Sequence, residues 1–143
     1  MATRAFIGLE KSDGTIAAIY CHSDGSIYGG VGQRLFENYQ DVSKIEALIA
    51  GGDISALHSR VDAPDGHSWD NRINDCTVFY HRDRGEPFEE VKPKLCINRK
   101  KFLTSADGCD AAYAYLYAGG CWLVDENMSE NFRPLSDCFQ RTA

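Results

Sequence analysis

Short apolar stretches with strand-like alternation lie towards both ends of the chain, and stripes with helical spacing lie between them. Residues 5–10 (AFIGLE) and 15–22 (TIAAIYCH) flank the turn-forming KSDG, which predicts a β-hairpin. Val31, Leu35, Phe36 and Tyr39 share one helical stripe, and Val42, Ile45, Leu48 and Ile49 form the buried stripe of a second helix. Ser43 and Glu46 have the spacing of a capping box at the start of that helix, and Gly51-Gly52 ends it, since a left-handed C-cap costs glycine little. DISAL predicts one further turn. Residues 59–75 have no period and many turn formers, and read as a long loop. Residues 76–82 (CTVFYHR) predict a third strand, residues 99–105 a short helix, and AAYAYLY-AGG-CWLV a tight hairpin. In the tail, residues 125–143, Phe132, Leu135 and Phe139 take helical spacing around Pro134, which suits a helix start.

The resulting order is ββααβ(α)ββ. Hairpin turns demand antiparallel pairing, so the expectation is an α+β fold: a single antiparallel sheet of about five strands with helices on one face. At 143 residues the chain fits a single domain, 1–143, large enough to bury a core without staples.

The final hairpin carries the strongest local inference. A two-residue turn at Gly119-Gly120 pairs Ala118 with Cys121, Tyr117 with Trp122 and Tyr115 with Val124. One face then holds Tyr113, Tyr115, Tyr117, Trp122 and Val124, and the other holds Ala112, Ala114, Leu116, Cys121 and Leu123. Small aliphatic side chains let helices approach closely, an expectation that leaves the aromatic row on the outer face. Tyr and Trp dominate interface hot spots and their rings stack on bases, so Tyr113, Tyr115, Tyr117 and Trp122 are candidate binding residues. The opposite assignment makes the row the core and puts the alanine face outside.

Charge and cysteine content narrow the classes. A net charge of −6 without a dense acidic block argues against a general DNA binder and for solubility. The one basic concentration, Lys92, Lys94, Arg99, Lys100 and Lys101, reads as a solvated face or as a patch for an anion. Six cysteines include no C-x-x-C pair, and MATRAF has no apolar h-region, so the thiols are expected reduced in a cytosol. No stretch reaches about 18 apolar residues, so no membrane span is expected.

The candidate chemistry is sparse. In IYCHSDG, neighbouring strand residues face opposite ways, so Cys21 and His22 cannot serve as nucleophile and base together. His22 shares a face with Tyr20 and reaches Asp24 only after the chain turns; both His22 and Asp24 are kept as candidate binding residues. GGVG precedes a helix but lacks the Lys-Ser/Thr of a P-loop and the G-x-G-x-x-G spacing, and reads as a strand-to-helix corner, with a ligand-facing loop as the alternative. HRDRGEPF shares three letters with the kinase catalytic loop, but the asparagine expected five residues after Asp83 is Phe88. His81 and Arg82 are therefore expected at a polar strand end, where they could contact a partner. Asp62, Asp65, His67 and Asp70 lie close together without EF-hand or zinc spacing, and their Asp-Gly and Pro-Asp pairs are turn chemistry. No catalytic set, metal or cofactor is expected.

IYCHSDG, GVGQRLFENYQD, LIAGGDISAL, YHRDRGE and AYAYLYAGGCWLV together resemble a group of small phage and prophage proteins without an assigned activity. Tyr20, His22, Asp24, Gly25, Gly30, Val31, Gly32, Leu35, Gly52, Asp53, Ile54 and Ser55 match its pattern, which covers the first 57 residues and two later strands. The resemblance implies a mobile-element protein working in a host bacterial cytoplasm and carries no catalytic residues with it. The leading expectation is a non-enzymatic inhibitor or decoy that binds a host defence or regulatory protein, an anti-defence protein of the anti-CRISPR type, with a homodimer possible. The alternatives are a module that sequesters a nucleotide signal and a small hydrolase built on His22, His67 or His81.

Overall fold

The first apolar run becomes strand β1 (Ala5–Glu10), which turns back into β2 (Ile16–Cys21) in the expected hairpin. The computed structural model describes residues 3–68 and 70–139. Two helices follow, α1 (Val31–Asn38) and α2 (Val42–Ala50). The N-cap of α2 is Asp41, whose carboxylate accepts from the Ser43 amide at 2.9 Å; the capping box expected at Ser43 and Glu46 lies two residues too late. The turn expected at DISAL is instead strand β3 (Ile54–Ala56), and the expected third strand shrinks to β4 (Val78–Phe79). Next come α3 (Phe88–Val91), β5 (Lys94–Cys96) and α4 (Arg99–Gly108). The last hairpin is β6 (Tyr113–Ala118) and β7 (Cys121–Glu126), in the register set by its Gly-Gly turn. The tail adds β8 (Arg133–Pro134) and a 3-10 turn, Leu135–Phe139.

Among the described residues, eight strands form one mixed sheet, and the expected single antiparallel sheet of about five strands is not what forms. Seven strands run in the order β4-β3-β2-β1-β6-β7-β8, and β5 pairs with β2 beside that path. The correction lies in two parallel pairings. β1 lies parallel to β6 from Ala5–Tyr113 to Leu9–Tyr117, and β2 is parallel to β3 at Cys21–Ile54, with α1 and α2 as the crossover. Each hairpin is antiparallel within itself. Joined side by side through their first strands, they make a mixed sheet.

The helices cover both faces, not one. On the first face α1 and α2 bury Ile7, Ile19, Tyr115, Tyr117, Trp122 and Val124 under Val31, Leu35, Ile45 and Leu48. On the second, α4 lays Phe102, Leu103 and Ala106 over Phe6, Ile16, Ala18, Ala114 and Leu116. Burial from both sides explains why Ala5 to Gly8 and Ala114 to Ala118 are unbroken buried runs. The alanine face does admit a helix closely: a Cβ at Gly8 would stand 2.6 Å from the Phe102 ring, so a hydrogen there is what lets α4 settle onto β1. The aromatic face holds the larger core.

Tyr115 is fully buried on that face, and its hydroxyl donates to the Gly25 carbonyl at 2.6 Å. Tyr115→Ala should cost about 3–5 kcal/mol, through lost transfer energy and a residual cavity. Tyr115→Phe should cost about 1 kcal/mol, because the buried carbonyl loses its donor. Urea denaturation of both variants checks the pair, and a loss for Tyr115→Ala within the ±0.5 kcal/mol typical of surface positions would place the ring outside the core.

Candidate functional site

The aromatic row expected on the outer face of the sheet packs inward instead. Tyr115, Tyr117 and Trp122 are buried, and Tyr113 is half-buried against the Tyr115 ring. The reason lies in their polar tips. As Tyr115 reaches Gly25, the Trp122 indole donates to the Tyr39 carbonyl at 2.9 Å, and the Tyr39 hydroxyl donates to the His58 carbonyl at 2.7 Å. A Tyr or Trp can be buried at little polar cost when its tip finds such an acceptor, and here three loop carbonyls supply them.

At the end of β2, Cys21 and His22 face opposite ways as the strand period requires. The Cys21 thiol is fully buried in the first core and donates to the Ser23 carbonyl at 3.4 Å; burial pushes its pKa up to about 12, which removes it as a nucleophile. His22 is half-buried and shares a 2.9 Å hydrogen bond through Nδ1 with the Tyr20 hydroxyl. Asp24 is exposed in a left-handed conformation, and its carbonyl accepts from the Val31 amide at 2.8 Å. The Gly32 amide donates to the Ser26 carbonyl at 3.2 Å, so two amides of the glycine corner already have partners within the chain. A Cβ at Gly30 would run into the Asp24 carbonyl, so this glycine serves the close turn. Beside the corner, Gly29, Arg34, Glu37, His58 and Asp75 line a polar cleft of about 270 Å³. Burial, followed by the nearby Arg34, holds the His58 pKa below its ordinary value.

His81 and Arg82 sit in a turn after β4 and not at a strand end. His81 is exposed, with Nδ1 at 2.8 Å from the Glu86 carbonyl and its ring edge-on to Phe88. Arg82 lies at the surface but is committed to partners within the chain: it grips Asp83 through Nε and Nη2 at 2.9 Å and donates to the carbonyls of Val61 and Thr77. The long loop supplies a partner that the sequence did not connect with it. His67 is buried with Nε2 3.6 Å from Asp83 Oδ2; its Nδ1 accepts from the Ile73 amide, so Nε2 donates to the Thr77 carbonyl at 3.2 Å. This buried clasp pins residues 61–77 to the turn. Asp62 pairs with Arg60, Asp65 and Asp70 are exposed, and no group of three His, Cys, Asp or Glu side chains converges on a metal position among the described residues.

The surface with the most to offer a partner surrounds β5. Among the described residues β5 pairs on one edge only, with β2, antiparallel, with Leu95 opposite Ala17 and Cys96 opposite Ile16. Leu95 and Ile97 are each 66% exposed, and Phe88 is exposed in a groove it shares with Leu95. A groove of about 500 Å³ opens on the α2 face of the sheet, lined by Leu9, Ala17, Ile49, Phe88 and Leu95. A second, of about 820 Å³, opens on the α4 face along Cys96, Ile97, Lys101 and Ser105. Lys92, Lys94, Pro93 and Leu95 line both. The available signal was the segment KPKLCIN, an apolar triplet wedged among the lysines of the basic concentration.

Between β5 and β3 the edge of β2 has a notch, and a side chain fills it. Asp53 Oδ1 accepts from the Tyr20 amide at 2.9 Å, in the place of a missing ladder carbonyl. No protein-family model, characterised protein or solved structure matches the chain. No helix among the described residues is long and apolar enough to cross a membrane.

Burial raises the Asp53 pKa from 3.8 to about 6, against the lowering effect of the Tyr20 amide and then of Lys94. The folded value lies above the unfolded one, so the stability held by the protonated carboxyl is complete below about pH 4 and lost as pH rises through about 6. Asp53→Asn keeps an oxygen for the Tyr20 amide and removes the charge. It should be more stable than the parent at pH 7 by about 1 kcal/mol, allowing for the water that still reaches this half-buried group, and level with it at pH 4. Thermal melts of both proteins across pH 4–7 check this; parallel pH profiles would refute it.

Proposed function

We propose that the chain is a non-enzymatic binding protein of a phage or prophage that inhibits or decoys a host bacterial defence or regulatory protein, and that it docks through the surface around β5. The observation that carries the docking reading is the exposure of Phe88, Leu95 and Ile97 along two adjoining grooves. Exposed large apolar side chains gathered at one place are the usual mark of a protein-protein contact. The phage origin is supported by the motif resemblance, whose residues Tyr20 to Leu35 build the strand-to-helix corner described above. Work in the host cytoplasm suits six unpaired thiols, since that compartment keeps cysteines reduced. A binding role also suits a chain in which Cys21 and His67 are sealed in the interior and Arg82 is committed to internal partners.

Expression of the chain in bacterial strains that each carry one defence system tests the reading, with phage plating efficiency as the readout. One system should be relieved, and the double variant Leu95→Asp/Ile97→Asp should lose that relief. Each substitution should weaken binding about tenfold or more while leaving stability within about ±0.5 kcal/mol, because both side chains are exposed. Relief of no system, or full relief by the folded double variant, would overturn the proposal.

A further inference from the structure

We infer that β5 is a docking edge for an extended acidic segment of the partner, which joins the sheet as an added strand. The inference rests on the docking face of the proposed function and names the partner's chemistry and its mode of binding.

Three features converge. First, β5 has a strand on one edge and none on the other among the described residues, so its outer backbone groups are a template for pairing. Second, the two grooves lie on opposite faces of the sheet. Leu95 projects with Ala17 to the α2 face, and Cys96 projects with Ile16 to the α4 face. Successive side chains of a strand point to opposite faces, so a strand laid along β5 would send alternate residues into the two grooves. A helix has its side chains in one stripe and could fill only one of them. Third, the rim is basic on a protein of net charge −6. Lys11, Lys92, Lys94 and Lys101 line the grooves against Glu46, Glu89 and Glu90, and Glu89 already pairs with Lys92 at 2.8 Å.

The same lysines argue against a second copy as the occupant. An isologous pairing of two β5 edges brings both lysine clusters to one seam, the arrangement by which natural edge strands resist self-pairing. An acidic strand reverses the sign of that contact. The occupant is therefore an extended segment whose successive central residues are apolar, one set for each groove, with carboxylates near its ends.

The test uses the full chain and a fluorescein-labelled octapeptide with two glutamates at each end and four valines between them, read by fluorescence anisotropy. It is compared with a valine-lysine version, and with two versions N-methylated at the odd or the even residues. The glutamate peptide should bind, and Leu95→Asp and the lysine version should each weaken binding at least tenfold. Amides of a strand alternate between its two edges, so one methylated version should lose binding at least tenfold and the other should keep it. Equal binding by both methylated versions, or loss by both, overturns strand addition. Equal binding of the lysine version overturns the acidic partner. A dimer in sedimentation that Leu95→Asp dissolves makes the second copy the occupant and overturns the inference. If the peptide arms fail while Leu95→Asp/Ile97→Asp still abolishes phage relief, this inference falls and the proposed function stands. If the peptide binds as expected and the variant retains relief, the proposed function falls.

Discussion

The parallel pairing of β1 with β6 is the contact on which the remainder of the molecule depends. It sets two hairpins edge to edge and makes the centre of the sheet from strands that are buried on both faces. Both cores follow from it. Tyr115 beside Ile7 belongs to the core under α1 and α2, and Ala114 beside Phe6 belongs to the core under α4. Without this seam the sheet would divide into β4-β3-β2-β1 with β5 and a small piece β6-β7-β8, and each of the two cores would lose part of its floor.

Loops are held by a second device, buried polar atoms placed at the tips of core side chains. Tyr115 fixes the Gly25 corner, Trp122 the end of α1, and Tyr39 the segment after β3. The His67–Asp83–Arg82 clasp does the same for the long loop. Removing one partner from such a contact strands a buried group, which costs more than the bond contributes when it is made. The corner and the long loop are thus tied to the packing of the sheet, although among the described residues neither has a ladder of its own beyond the bridge between Arg60 and Cys76.

Local features were legible in the sequence and non-local ones were not. The Gly119-Gly120 turn dictates the register of its hairpin, and the periodic stripes located α1 and α2 within a residue or two. Alternation shows that Tyr115 and Ala114 face opposite ways, but it cannot say which face meets a helix, and here both do. The parallel seam leaves no local trace, because a strand flanked by a tight turn looks the same whatever lies on its other edge. The same holds for the candidate site. KLC is too short for a periodic signal, and the exposure of Leu95 and Ile97 follows from the position of β5 at an edge. His67 read as part of a turn-rich loop and Arg82 as a polar strand-end residue facing a partner, and only the fold joins them through Asp83.

The seam between residues 5–9 and 113–117 also has a consequence in time. During synthesis at about 5–20 residues per second, β1 leaves the ribosome roughly 5–20 s before the strand it needs. For that interval its second edge is open, and the apolar stretch AFI lies beside a core that cannot close. The charged Lys11 and Asp13 of the first turn then stand between the nascent hairpin and a neighbouring chain. Yield of this protein in a cell should be governed by the waiting time of β1 more than by the stability of the finished sheet.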